Sequence, residues 1–258
     1  MIAFLLCSVA WAIEPVVESV ESGQINWTTM ELEITSRSDR TVGAWKDVRV
    51  QEQDALDRLK PLIEDAAKRV RVFPGTRAED HMTSTEVSNT IDVAGRIDDG
   101  ISNWRVRETR YLSNGGVEMD GVLSLHQWLR PALLATLHDS EDLATEDGPT
   151  GVLIDARHLA FRPCLSPEVW TSDETPLVNP SRVNPAVLRV RAPAVYVRDP
   201  AASQAVDRAG EHPLFITASA STQDCVLILS PADSQLLQAS KGFAAVVASA
   251  KIVLVVNP

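Results

Sequence analysis

Apolar and polar residues alternate in the first regular segment of the chain. Within residues 25–36, Leu32 and Ile34 are separated by acidic neighbours, a pattern typical of a strand with one buried face. In residues 48–70 the apolar positions recur every three or four residues instead, which predicts an amphipathic helix packed on a sheet. Because Pro61 removes a backbone donor inside this helix, we expect a kink or the start of a second helix there.

A hairpin is the clearest prediction in the first half of the chain. Residues 102–112 and 116–125 are strand-like, and Asn114 and Gly115 between them tolerate the positive φ of a tight turn. A short helix is expected before the hairpin, and an amphipathic one at 128–137. This order predicts an α+β fold in which helices pack on a small antiparallel sheet.

The second half of the chain has a different sequence pattern from the first. An acidic stretch at 139–150 ends in Gly-Pro and reads as a linker, which separates an α+β domain at 25–138 from a second domain at 151–258. The second domain is predicted to be β-rich, with one helix at 231–240 capped by Ser230. Its strand-like segments are separated by proline-rich loops and cover residues 151–157, 187–197, 214–219, 225–229 and 248–256.

The first twelve residues resemble an export signal. They carry no charge and end in Ala10-Trp11-Ala12, an apolar run followed by a small-x-small cleavage site. No basic residue precedes the run, so a buried N-terminal strand or helix is the alternative. Cys7 could carry a lipid, but Leu6 is bulkier than the residue usual before a lipid-bearing cysteine. We therefore expect residues 1–12 to be a cleaved signal peptide.

Composition and net charge limit the classes of partner that the protein is expected to bind. The 258-residue chain is 45% hydrophobic and 23% charged, so it can bury a core. Its net charge of −11 disfavours nucleic acid as a partner, because proteins bind nucleic acid through clustered Lys and Arg. The longest later apolar stretch, 243–256, is too short to span a bilayer and contains Lys251. We predict a buried strand for this stretch. We expect no transmembrane helix in the mature chain.

Two cysteines remain once the signal is removed. Cys164 and Cys225 are an even pair, which permits one disulfide in an oxidising compartment. Two buried reduced thiols are the alternative. Because the chain has no Cys-x-x-Cys, neither a redox motif nor a structural zinc site is expected.

Three neighbouring polar residues are the main candidates for a ligand site. Asp155 and Arg157 are two positions apart on a predicted strand and share a face, with His158 beside them. They could face a ligand, but a structural ion pair at the strand end is favoured. The acidic residues after His138 match no metal-binding spacing and are typical of a solvated linker. No metal or cofactor is therefore expected.

Two segments resemble known bacterial families. The strand, charged helix and hairpin of residues 27–125 resemble the N-terminal domain of the flagellar outer-ring protein FlgT and small outer-membrane lipoproteins such as FlgP. The segment GVLIDARHLAFRPCLSPEV at 151–169 is similar to a segment of uncharacterised secreted proteins of that superfamily, with His158 in place of a glycine and Cys164 at a usually small position. The resemblance implies a non-catalytic envelope protein, sometimes part of a ring, and does not transfer the flagellar role itself.

These observations predict an exported, non-enzymatic protein of the periplasm or outer membrane. Its expected role is structural or in binding other envelope proteins, including a second copy of itself. One alternative is a small-ligand-binding module in which Asp155 and Arg157 face the cleft between the domains. A hydrolase that uses His158 with Asp155 is a weaker alternative, because no nucleophile-elbow motif is present.

Overall fold

A computed structural model describes residues 14–39, 47–83, 93–127, 148–188, 190–222 and 225–257, and the structural statements below refer to these residues. The predicted signal peptide at 1–12, the predicted helix at 128–137 and most of the predicted linker lie outside them. The described chain combines helices with an antiparallel sheet and further sheets, so the predicted α+β class is confirmed.

The described residues of the first half of the chain form the following strands and helices. In chain order they are β1 (Val17–Val20), β2 (Gly23–Asn26), β3 (Glu31–Arg37), α1 (Val48–Lys68), β4 (Arg71–Phe73), β5 (Thr76–Arg77), α2 (Ala78–Thr83), α3 (Val93–Ser102), β6 (Arg105–Tyr111) and β7 (Val117–Ser124). Five of the strands make an antiparallel sheet in the order β1-β2-β3-β7-β6, while β4 and β5 form a separate hairpin.

One expected strand is in fact two. The segment at 25–36 is broken by a turn at 27–30, so that β2 and β3 pair as an antiparallel hairpin. Met30 adopts a positive φ of 56° at the end of this turn, which the alternating pattern does not reveal. Leu32 and Ile34 are buried as predicted.

Helix α1 is the long helix predicted from the regular spacing of apolar residues at 48–70. Its buried residues include Leu59 and Ile63, which pack against β3 and β7. The prediction that a second helix starts at Pro61 is wrong, because α1 continues through it. Pro61 is exposed, so water can satisfy the carbonyl that loses its helical partner, while the buried residues on either side hold the helix to the sheet.

The described residues of the second half of the chain form the following strands and α-helices. They are β8 (Val152–Asp155), β9 (Glu168–Trp170), β10 (Pro176–Val178), α4 (Pro185–Leu188), β11 (Ala194–Val197), α5 (Ser203–Ala209), β12 (Leu214–Thr217), β13 (Ala220–Ser221), β14 (Val226–Ile228), α6 (Pro231–Ala239), α7 (Phe243–Ala248) and β15 (Ile252–Val255). The predicted cap of α6 is present, since the Ser230 hydroxyl accepts a hydrogen bond from the Asp233 amide at 3.1 Å.

Two four-stranded sheets organise this half. The sheet β11-β15-β8-β12 is parallel throughout, whereas β10-β9-β14-β13 is mixed. Helix α5 packs on one face of the parallel sheet. Residues 243–248 are helical rather than extended, which corrects the single strand expected at 243–256. This helix is buried on most sides, so its residues carry no periodic pattern that separates helix from strand.

The two halves of the chain contact each other through backbone and side chains. The amide of Leu165 donates to the Arg71 carbonyl at 3.0 Å, and the amide of Ser166 to the Val72 carbonyl at 2.9 Å. Apolar residues of both halves belong to one continuous core. The division into two domains at 139–150 stays a prediction.

Candidate functional site

The parallel sheet gathers polar residues at one edge. Because its four strands run in the same direction, their carboxyl ends meet there: Asp155 ends β8, Thr217 ends β12, and Arg198 follows β11. The crevice outside this edge is where open α/β sheets commonly bind ligands. The predicted trio of Asp155, Arg157 and His158 therefore lies where a ligand site would be expected.

Asp155 and Arg157 form a two-point ion pair with each other. The Asp155 carboxylate accepts from Arg157 Nε at 3.0 Å, from Nη2 at 2.6 Å, and from the Arg157 backbone amide at 3.1 Å. These bonds hold the pKa of Asp155 below its usual range and raise the pKa of Arg157. The two side chains compensate each other and fix the turn that follows β8.

His158 takes no part in this pair. Its side chain is exposed, and the hydrogen bonds that Asp155 makes to described side chains go to Arg157. A histidine that served as a general base would need its orienting carboxylate, which Arg157 engages instead. The proposed ligand role of the three residues stays a prediction.

Cys164 and Cys225 are joined in a disulfide. Their Cα atoms are 5.9 Å apart and both residues are fully buried. The bond ties the loop before β9 to the start of β14. Tyr196, also fully buried, brackets Cys164: its hydroxyl donates to the Cys164 carbonyl at 2.7 Å and accepts from the Cys164 amide at 3.2 Å.

A charged cluster lies where the two halves meet. Arg71 donates from Nε to the Pro163 carbonyl at 2.8 Å and pairs with Glu18. Glu18 also accepts from the Trp27 indole at 2.9 Å. The Arg71 guanidinium lies 5.7 Å from the centre of the Trp27 ring, which contacts Tyr196 edge-on. Each polar group is paired, so the cluster serves the packing of the halves.

A small cavity opens beside this cluster. Its volume is about 220 Å³, which is less than the roughly 300 Å³ at the lower end of small-molecule pockets. It is lined by Glu18, Val20, Glu21, Ile25, Leu62, Asp65, Ala66, Arg69 and Arg71. Asp155 and Arg157 are not among these residues, so the cavity and the carboxyl edge are separate places.

Strand β12 leaves one edge of the parallel sheet open. It pairs with β8 alone among the described strands. The Leu214 amide donates to Gly151 and the Ala218 amide to Asp155, so the intervening Phe215 and Thr217 direct their backbone groups away from the sheet. The Phe215 side chain is 51% exposed. The edge thus combines free backbone groups with an exposed aromatic ring.

Sequence reasoning did not identify Phe215, Trp27 or Tyr196. The apolar residues that follow His158 form no exposed patch, because Phe161 and Leu165 are buried in the core and Leu159 packs against it. Phe215 is detectable in principle, because Leu-Phe-Ile lacks the alternation of a half-exposed strand. Within the described residues no group of three acidic, His or Cys side chains could hold a metal ion. The acidic residues after His138 lie outside that range.

Residues 151–258 match the profile of a protein family described as Treponema pallidum Tp0624, second domain. The second half of the chain is therefore similar to a domain of a spirochete protein family. The comparisons provide no support for the expected resemblance to FlgT or FlgP. No curated protein matches the chain.

No helix in the described residues is both long and apolar enough to cross a bilayer.

Proposed function

We propose that the protein is an exported, non-enzymatic component of a bacterial cell envelope that binds an extended segment of another envelope protein at β12. The observation that carries the proposal is the open edge of this strand beside Phe215. An added strand would pair with the backbone groups of Phe215 and Thr217, in the mode known as β-augmentation. An apolar side chain of the partner would cover the Phe215 ring.

The disulfide supports the envelope location. Disulfides form and persist in oxidising compartments and are rare in the cytosol of most bacteria. A bond between Cys164 and Cys225 is therefore compatible with an exported protein. The match to a spirochete family supports a bacterial origin for the second half.

The mutual pairing of Asp155 with Arg157 supports a role without catalysis. Each group of a catalytic acid and base pair must be able to exchange a proton with a substrate. Here the carboxylate is held ionised by the guanidinium, so it is a poor proton donor or acceptor near neutral pH.

Export is tested by fractionation of cells that produce the full-length chain. We expect the protein in the periplasmic or outer-membrane fraction, with an N-terminus at Ile13 by mass spectrometry. Non-reducing peptide mapping should recover Cys164 and Cys225 in one linked peptide pair. A cytoplasmic protein with residues 1–12 intact would overturn the envelope location.

Partner binding is tested by photo-crosslinking in the same cells. A photoreactive residue at position 217, where the backbone faces outward, should give a discrete adduct. Phe215→Lys should abolish it, because a charge replaces the apolar contact. Leu236 on α6 is also 51% exposed, so Leu236→Lys is a matched control that should leave the adduct intact. Equal loss in both variants, or no adduct at all, would contradict the proposal.

A ligand-binding module is the second candidate. The observation in its favour is the position of Asp155 and Arg157 at the carboxyl edge of a parallel sheet. A polar ligand would have to displace the ion pair that joins them. Arg157→Gln should then abolish ligand-dependent thermal stabilisation of the purified protein against a panel of small polar metabolites. If no compound raises the Tm, the ligand candidate fails.

A further inference from the structure

The opposite, amino edge of the parallel sheet contains a half-buried arginine. Arg208, on α5, donates from Nη1 to the Ala192 carbonyl at 2.8 Å and to the Ala250 carbonyl at 2.9 Å. These carbonyls precede β11 and β15, which are neighbours in the sheet. Both hydrogens of Nη1 are therefore used, and the guanidinium is fixed in position by two adjacent strand starts.

The remaining edge of the same guanidinium has no acceptor. Neither Nε nor Nη2 of Arg208 hydrogen-bonds to a described residue. Neither atom is among the fully buried side-chain atoms that lack a partner in the described chain, so each retains some contact with solvent. Nε–H and Nη2–H form the parallel fork that matches the two oxygens of a carboxylate. The fork is thus fixed in position by the bonds of Nη1 and has no acceptor among the described residues.

No acidic side chain of the described residues compensates the charge of Arg208. The pKa of Arg208 is lowered to about 10, mainly by burial and to a smaller extent by the positive charge of Arg191. No acid of the described chain raises the pKa, although Asp207 and Glu211 are close in sequence. A half-buried cation that lies near a second cation and has no acidic partner in the described chain attracts an anion locally, although the net charge of −11 opposes the approach of anions at long range.

We propose that Arg208 and Arg191 form a carboxylate-binding site at the amino edge of the parallel sheet. The carboxylate lies in the Nε and Nη2 fork of Arg208, and the exposed Arg191 adds a second positive charge. The carboxylate comes from a free organic acid or from an acidic side chain or C-terminus of a polypeptide. This site is distinct from the β12 edge and does not depend on the proposed partner there.

The site is tested with acetate as the probe on the purified protein. We expect sodium acetate, titrated against sodium chloride at equal ionic strength, to shift the Arg208 Nε–H resonance in a saturable way. Arg208→Lys keeps the charge and loses the fork, so it should weaken binding about tenfold or more, followed through backbone amides of Ala192 and Ala250. Arg191→Gln should weaken it several-fold and leave the fold unchanged, because Arg191 is exposed.

Arg162 provides the control, since it is exposed and lies outside this cluster. Arg162→Gln should bind acetate as the unaltered protein does. Comparison of acetate with a short acidic peptide distinguishes the sources: tighter binding of the peptide indicates a polypeptide ligand, and equal binding indicates a free acid. A non-saturable shift, a shift matched by chloride, or equal binding by the Arg191→Gln and Arg162→Gln variants would overturn the proposal.

Discussion

At the scale of single residues, Tyr196 connects the core to the disulfide. Its ring contacts Trp27 and Phe161, and its hydroxyl satisfies both backbone groups of Cys164. A buried amide and carbonyl without a partner would each be costly. One hydroxyl group therefore determines whether the loop that contains Cys164 can be buried.

Tyr196→Phe should lower the free energy of unfolding by about 1 to 3 kcal/mol, because it leaves the buried Cys164 amide and carbonyl without their partner. Urea denaturation followed by tryptophan fluorescence measures the difference. Tyr111 is the control, since its exposed hydroxyl bonds only to Glu52 at the surface. A loss for Tyr111→Phe as large as for Tyr196→Phe would contradict this account.

The same residue predicts a pH dependence. Burial raises the pKa of the Tyr196 phenol above its usual value. In the unfolded chain tyrosine ionises near about pH 10, so the folded state retains a proton that the unfolded state loses. Stability is therefore intact below about pH 10 and falls as the pH rises further. Denaturation at alkaline pH should show this fall, and Tyr196→Phe should make it shallower than Tyr111→Phe does.

Some of these residues could be predicted from the sequence. The ion pair of Asp155 and Arg157 is favoured by their spacing of two, and the even cysteine count permits the disulfide but leaves two reduced thiols as the alternative. Tyr196 and Arg208 could not be predicted, because their partners are distant in the chain. Cys164 is 32 residues from Tyr196, and Ala250 is 42 residues from Arg208. Local pattern has no information about such contacts.

At the scale of elements, α1 tolerates a proline in its interior. Pro61 cannot donate to the carbonyl one turn earlier, and this costs a helix about 3 kcal/mol relative to alanine. Part of that cost is offset because proline also restricts the unfolded chain. Packing of Leu59 and Ile63 against the first sheet supplies enough stability for the helix to continue.

Pro61→Ala should therefore stabilise the protein by about 1 to 3 kcal/mol, since it restores one helical hydrogen bond at an exposed position. Lys60→Ala is the neighbouring control and should change stability little, because the Lys60 and Glu64 contact is long and exposed. Thermal unfolding of the two variants distinguishes these outcomes. A destabilised Pro61→Ala protein would show that the proline is needed for the path of the helix.

Close packing of α5 on the parallel sheet depends on Gly151. A Cβ built there would lie 2.5 Å from the Ala209 Cα and 2.6 Å from its carbonyl oxygen. These are backbone atoms, so the helix itself would have to move. The small residues Ala205 and Ala209 on α5 are buried against the same sheet face, which explains how a helix of seven residues can cover it.

Gly151→Ala should cost more than about 3 kcal/mol, at the upper end of overpacking effects. Gly75 is the control because it has open space around it, although its φ of +73° also favours glycine. Gly75→Ala should cost only about 1 to 2 kcal/mol, the price of a left-handed alanine. Chemical denaturation ranks the two variants, and a reversed ranking would exclude the packing explanation.

Periodicity predicted the elements that have one exposed face. Helix α1 and the capped helix α6 have such a face and are predicted from their patterns. The hairpin is predicted from its turn residues, since β7 is mostly buried and β6 mostly exposed. The parallel pairing of β8, β11, β12 and β15 was not predicted. Its strands are only four residues long, and the short α5 between two of them gives little helical signal.

At the scale of the whole molecule, the disulfide closes a long loop. Cys164 and Cys225 are 61 residues apart, and a loop of this length corresponds to roughly 4 kcal/mol of stabilisation in the chain-entropy model. The paired substitution Cys164→Ala with Cys225→Ala should lower the unfolding free energy by that order. Denaturation under non-reducing conditions measures the loss relative to the unaltered, disulfide-bonded protein, and the reduced unaltered protein is the control that should match the variant. A loss below about 1 kcal/mol would show that packing alone fixes this region.

Two open sheet edges differ in how well they are protected against unwanted strand pairing, and this difference affects the soluble yield of the protein. Strand β6 is a free edge protected by Arg105, Arg107 and Arg110 and by a bulge, features that discourage unwanted pairing. Strand β12, with the sequence Leu-Phe-Ile-Thr, has no such protection. A bare edge that normally receives a partner's strand becomes a liability when the partner is scarce. Under the proposed function, the soluble yield of this protein would therefore depend on its stoichiometry with that partner, and co-production would be the route to abundant material.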